Sequence, residues 1–255
     1  MRRRIARRRH RSSINRLTQE HLQHFHCQKS IDNTLKFHSQ LTKETLYLDT
    51  LQLQQVEGSS VVTAYASTLD SLATQVQEDL TIICRSADGK NWLSAVHLCY
   101  PNHWSAEEKI GKDFATIHAP VAGMEKINRR GDAIAHAMIT QKPMVRFAWG
   151  LSSDTRLNHH PEPLPGVSVS EWQGRSLDSQ HSQLYLRIGR QVIWGLPEYE
   201  AALFIIRTYF KDCGVVKQDP VLRSKLNQAI ESITPEFLVY KGFAESKANI
   251  LQWLS

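Results

Sequence analysis

Histidines and strand-borne arginines are the residues of this chain best equipped for chemistry. Of the 12 histidines, His10, His21, His24, His26 and His38 lie in a polar N-terminal region, and His159, His160 and His181 lie in or beside a loop, where a surface role is the default. His118 stands apart. At about 100° per residue it falls roughly 40° from Phe114 and 100° from Ile117, inside the apolar arc those residues make with Ile110. An imidazole there is either a hydrogen-bonded core residue or a ligand to something buried. His97, on a strand, and His136, on a helix, pose the same alternative. Arg146, Arg187 and Arg207 each interrupt a largely apolar β run, and Arg190 follows Arg187 closely. Such arginines either snorkel at a sheet edge or capture a buried anion, since guanidinium suits carboxylate and phosphate geometry.

Other chemistries leave no trace. Glycine-rich phosphate loops, Gly-x-Ser-x-Gly elbows and His-Glu-x-x-His helices are absent, which removes the common nucleotide, esterase and zincin readings. A Ser-His-Asp triad has no sequence signature, and nothing here argues for one. Cys27, Cys84, Cys99 and Cys213 are far apart with no Cys-x-x-Cys pair, so thiols in a reducing, cytoplasmic compartment are expected.

The elements that must position these residues are readable in part. Ser30 to Glu57 is polar with leucines at mixed spacing, predicting helix or irregular structure, and Val61 to Val76 reads as a helix capped by Ser59 or Ser60. Asp79–Arg85 and Asn91–Tyr100 flank Asp88-Gly89 as a β-hairpin, with Trp92, Val96, Leu98 and Tyr100 on one face and Leu93, Ala95, His97 and Cys99 on the other. Ser105-Ala-Glu-Glu108 is a capping box opening a helix through Ile117, closed at His118-Ala-Pro120. A further helix covers 124–140, and three strands cover 144–151, 183–194 and 201–210. A Pro-, Ser-, Gly- and His-rich loop fills 152–180. Asp219-Pro220 and Thr234-Pro235 open two C-terminal helices. A hairpin, then helices, then strands predicts an α+β fold with an antiparallel sheet rather than alternating βα units.

Charge is localised. Eight of the 31 basic side chains lie in residues 1–16, which carry no acid, and the remaining 23 face 25 acidic ones, a net of −2. An arginine block of this kind binds phosphates, serves as an address or is simply a solvated tail. The near-neutral body disfavours nucleic-acid binding outside it. With 41% apolar residues the chain can build a core, and its longest clean apolar run, Ala201 to Ile206, falls far short of the ~18 residues of a membrane span.

Several spaced blocks resemble the alpha subunit of heme-dependent oxidative N-demethylase: Asp79-Leu80, Trp104-Ser-Ala-Glu-Glu-Lys-Ile-Gly111, Ile117-His-Ala-Pro-Val121, Pro143-Met-Val-Arg-Phe-Ala-Trp149, Arg187-Ile-Gly-Arg-Gln191 with Leu196-Pro197, and Leu203-Phe-Ile-Ile-Arg-Thr-Tyr209. The resemblance runs from about 42 to 250, with the blocks in order. The charge pattern predicts a basic, disordered tail over 1–29, and the resemblance implies a single PAS-like domain over 30–255, with helical extensions at both ends, whose sheet and flanking helices enclose heme b. It implies O₂-dependent removal of an N-methyl group from a small secondary or tertiary amine, with formaldehyde released. Electrons would come from NADPH through flavin and iron–sulfur centres on a partner reductase component. The Ile-His-x-Pro-Val block makes His118 the first candidate for the iron, with His97 second. Arg146 and Arg207 become candidates for the heme propionates, and Arg187, Arg190 and Gln191 for the substrate pocket. One departure stands out: where the family reads Arg-x-Glu-Arg-Gln, this chain has Gly189. The alternative function is a non-catalytic heme or small-ligand sensor, because fold does not fix chemistry.

Overall fold

A computed structural model describes residues 29–31, 36–39, 42–47, 53–56, 65–169, 172 and 183–255. The Arg-rich block, the expected caps Ser59 and Ser60, and loop residues 173–182 lie outside them. The chain divides into two compact units, Met1–Gln77 and Glu78–Ser255.

In the first unit the expectation of helix or irregular structure gives way to strands. β1 (Lys29–Ile31), β2 (Lys36–Ser39), β3 (Glu44–Tyr47) and β4 (Leu53–Val56) form an antiparallel meander in that order. Strands of three or four residues are too short to display a period, and it is the ladder with a neighbour that stabilises them. The helix expected through residue 76 is shorter: α1 (Thr68–Ala73) starts where Ser67 Oγ accepts from the Asp70 amide at 3.1 Å.

The second unit carries the conspicuous chemistry. Its hairpin, β5 (Asp79–Arg85) and β6 (Asn91–His97), turns at Gly89, whose φ of +88° suits glycine. Helices α2 (Phe114–His118), α3 (Glu125–Asn128) and α4 (Gly131–Thr140) follow, then β7 (Met144–Ser152), β8 (Tyr185–Leu196) and β9 (Ala201–Asp212). All pairings are antiparallel and the sheet order is β6-β5-β9-β8-β7, a PAS-like α+β arrangement. The C-terminus forms four helices instead of two, α5 (Cys213–Gln218), α6 (Pro220–Glu231), α7 (Pro235–Lys241) and α8 (Lys247–Leu254). Asp219 and Thr234 cap α6 and α7 as expected, ahead of proline. No helix among the described residues is long and apolar enough to cross a membrane.

Two local departures move side chains. The β5–β6 register shifts between Ile82 and Ile83, so that Ile82 pairs with Ala95 and Ile83 with Leu93. The extra residue, Ser94, breaks the strict alternation. Leu93 and Val96 therefore share one face, while Trp92, Ala95 and His97 share the other. The single helix expected over 105–118 is split, because Gly111 at φ +76° ends a first turn and Asp113 Oδ1 caps α2 afresh, accepting from Thr116 N at 2.7 Å. Ile110 is accordingly exposed, whereas Phe114 is buried.

Cross-strand partners point to the same face of a sheet, and this divides the unit into two cores. Ile83, Leu93, Ile193 and Ala202 pack on Phe114, Met138 and Ile139, so α2 and α4 cover one face, hereafter the inner face. Leu151, with partly buried Trp149 and Leu186, packs on the C-terminal helices at the other, outer face.

Candidate functional site

On the inner face β5, β9, β8 and β7 present three successive rows. One contains Arg146, Gln191, Ile206 and Asp79; the next Ala148, Gly189 and Thr208; the third Gly150, Arg187 and Phe210. A strip of small side chains thus lies between two arginines. A Cβ at Gly189 would meet only Ile206 Cγ2 at 3.7 Å and the Ala148 carbonyl at 3.9 Å, so a side chain is accommodated at that position.

Arg146 donates through Nε to Gln191 Oε1 at 2.6 Å, and its guanidinium lies 5.8 Å from the Phe204 ring centroid. β7 is exposed here, yet protein crowds this guanidinium enough that desolvation lowers its pKa. Arg187 is buried and clamps loops to the sheet, donating to the carbonyls of Tyr100 at 3.1 Å and Leu157 at 2.9 Å. Asp79 faces it electrostatically and accepts from the amides of Cys99 at 2.7 Å and Tyr100 at 3.0 Å. Burial nonetheless outweighs these contacts and raises its pKa.

His118, half-buried at the end of α2, completes the site. Its Nδ1 lies 2.8 Å from the Phe114 carbonyl, and its ring stacks on that of Phe114 at 4.1 Å. A carbonyl only accepts, so Nδ1 carries the proton and Nε2 keeps its lone pair. Burial lowers the His118 pKa, the Phe114 bond opposes that, and the charges of Arg146 and Lys109 lower it further. The ring is therefore neutral at pH 7 and anchored on one nitrogen, the state in which imidazole binds a metal. Among the described residues no group of three or more His, Cys, Asp or Glu gathers as a metal site, but a heme iron already held by its porphyrin needs only one such imidazole. The imidazole of His118 and the cation of Arg146 suit that group.

The other sequence candidates lie elsewhere. Arg190 pairs in register with Arg207 and Phe147 on the outer face, away from Gln191. Arg207 bonds Glu78 at 3.4 Å. His97 also faces outward, its Nδ1 3.8 Å from Cys99 Sγ. His136 touches Arg85, which itself binds Glu200 at 2.6 Å. His159 reverses the expectation of a surface loop residue: it is buried, bonded through Nε2 to Asp154 Oδ1 at 3.1 Å and stacked on His103.

A family model described as haem-dependent oxidative N-demethylase, alpha subunit-like, matches residues 10–251. The chain belongs to that family. Within this demethylase-alpha-like chain, the blocks that carried the resemblance fall on the β5 start, α2, β7, β8 and β9, elements of the inner face, except Trp104–Gly111, which forms the turn ahead of α2. Sequence reasoning missed the Phe114 carbonyl and Asn91, which accepts from the Phe114 amide at 2.8 Å. A backbone acceptor has no sequence signature, although Gly111 followed by Asp113 does signal that a new helix begins there.

Proposed function

We propose that this chain is a heme-binding subunit catalysing O₂-dependent N-demethylation of a small secondary or tertiary amine, supplied with electrons by a partner carrying flavin and iron–sulfur centres and drawing on NADPH. The observation that carries the reading is His118, which turns a free Nε2 lone pair toward use while Nδ1 is fixed on Phe114. His118 would hold the iron. Arg146, steered by Gln191, would hold a propionate. Arg207 and Arg190, being on the outer face, are poorer candidates for either role. When bound, the heme supplies O₂ activation and oxidation of the N-methyl group, from which formaldehyde leaves. Arg187 keeps the Tyr100 and Leu157 segments against the sheet and so gives the site a fixed wall. Ala148, Gly189 and Thr208 leave space for a small substrate. The three described cysteines are free thiols, in keeping with a reducing, cytoplasmic setting.

Gly189 favours a second reading, a heme or small-ligand sensor, because the strip offers no carboxylate to an ammonium group. The position tolerates one: no left-handed φ is required, and its Cβ contacts would be ordinary. A carboxylate–ammonium hydrogen bond is worth roughly 1.5–3 kcal/mol, or about one to two decades in binding or rate. Formaldehyde release from dimethylamine with a surrogate reductase is therefore expected to be weak in the native chain and raised about 10- to 100-fold by Gly189→Glu. No release by either form, despite a reducible heme, sinks the enzyme reading in favour of the sensor.

A further inference from the structure

The free nitrogen of His118 is only as well aimed as the helix turn beneath it, and α2 has five residues with which to hold that aim. What holds α2 comes from outside it. Asn91, the first residue of β6, is buried at 5% exposure. Its Nδ2 donates to Asp132 Oδ1, in the first turn of α4, at 2.8 Å. Its Oδ1 accepts from the Phe114 amide, also at 2.8 Å. The partners settle the amide's orientation, since a carboxylate can only accept and a backbone N–H can only donate. Phe114 in turn holds His118 twice, by the carbonyl bond to Nδ1 and by ring stacking. Just before α2, the Leu93 amide donates to the Lys112 carbonyl and the Gly111 amide to the Leu93 carbonyl, both at 2.9 Å, so the approach to the helix is pinned to the same strand.

We infer that Asn91 is a positioning residue for His118: the run Asp132–Asn91–Phe114–His118 fixes the imidazole's direction toward heme iron by tying α2 to both β6 and α4. This rests on the reading of His118 as the iron ligand. Asn91 touches neither heme nor substrate. It acts by making the first peptide of α2 immobile, and its charge-assisted donation to the Asp132 carboxylate strengthens that hold. Partners outside the coordination shell that orient a ligating imidazole typically govern metal affinity by about 10- to 100-fold.

The test reads the iron–imidazole stretching band of the ferrous heme-loaded protein by resonance Raman spectroscopy, together with the rate of heme transfer to apomyoglobin. Asn91→Ala is expected to shift or broaden the band and speed heme loss about 10- to 100-fold. Asp132→Ala, at an exposed site, is expected to move both readouts the same way by a smaller amount, and it decides the matter should Asn91→Ala fail to fold. A purely structural role for Asn91 would lower the apoprotein melting temperature and leave the band in its native place. Native band and native heme retention in Asp132→Ala, and in Asn91→Ala where that folds, overturn the inference. His118→Ala separates the two layers: a surviving band there overturns the ligand assignment, and the positioning role with it.

Discussion

Gly189 and Gly195 lie on one strand and one face, yet the protein treats them differently. A Cβ at Gly195 would fall 2.1 Å from the Ile139 carbonyl oxygen and 2.9 Å from that of Met138, so the end of α4 rests directly on β8 there. These are backbone atoms at a helix end and cannot swing aside. Gly195→Ala is expected to cost about 1–3 kcal/mol, while Gly189→Ala stays within about 0.5 kcal/mol. Thermal melts check the pair, and the account of both sites is wrong if they shift equally. Spacing set His118 beside Phe114 but left open whether it was a core residue or a ligand, and the Ile-His-x-Pro-Val block made it the first candidate for the iron. The arginines were less legible. Arg187 and Arg190 are three apart and therefore on opposite faces of a strand. Only the pairing shows that Arg146 and Gln191 meet, and that Arg207 is turned toward Glu78.

Among the strands of the five-stranded sheet, β7 is the most exposed. It pairs with β8 in unbroken register from Met144 to Ser152 and forms the margin of the five-stranded sheet. Phe147 is 65% exposed on it, directly across from Arg190. Exposed apolar edge strands invite pairing between copies, and a charge on the strand discourages it. Phe147→Glu, placed opposite a cation, is expected to change stability by no more than about 0.5 kcal/mol and to reduce self-association in light scattering. A loss of several degrees in melting temperature would show that Phe147 is a core contact instead. The long strands and the capped C-terminal helices were visible as patterns, since nine or more residues display a period and Asp-Pro or Thr-Pro announces a helix start. The strands of the first unit were not. Their information lies in which segment pairs with which, and a local window does not contain it.

For the whole molecule, titration sets the working range. Burial lowers the pKa of His159, with Asp154 opposing and Arg187 and Arg156 reinforcing, so its folded value lies below the unfolded one. Its contribution to stability is present above about pH 6.5 and is lost as pH falls toward the folded value. Cys213 behaves in the opposite sense: burial pushes its thiol up to about 12, so the stability it lends is lost as pH rises from about 9 toward 12. Urea midpoints are therefore expected to be highest between about pH 7 and 9, and Cys213→Ala should flatten the alkaline fall relative to the native chain. An unchanged alkaline slope in that variant contradicts the assignment. The central claim, that the inner face of this sheet holds heme through His118, is tested most directly by titrating heme into the purified protein and recording the Soret and ferrous spectra of the native chain, His118→Ala and His97→Ala. The expected result is one equivalent bound with an imidazole-ligated spectrum in the native chain and in His97→Ala, and loss of that spectrum in His118→Ala. A native spectrum in His118→Ala, with loss in His97→Ala, would contradict it.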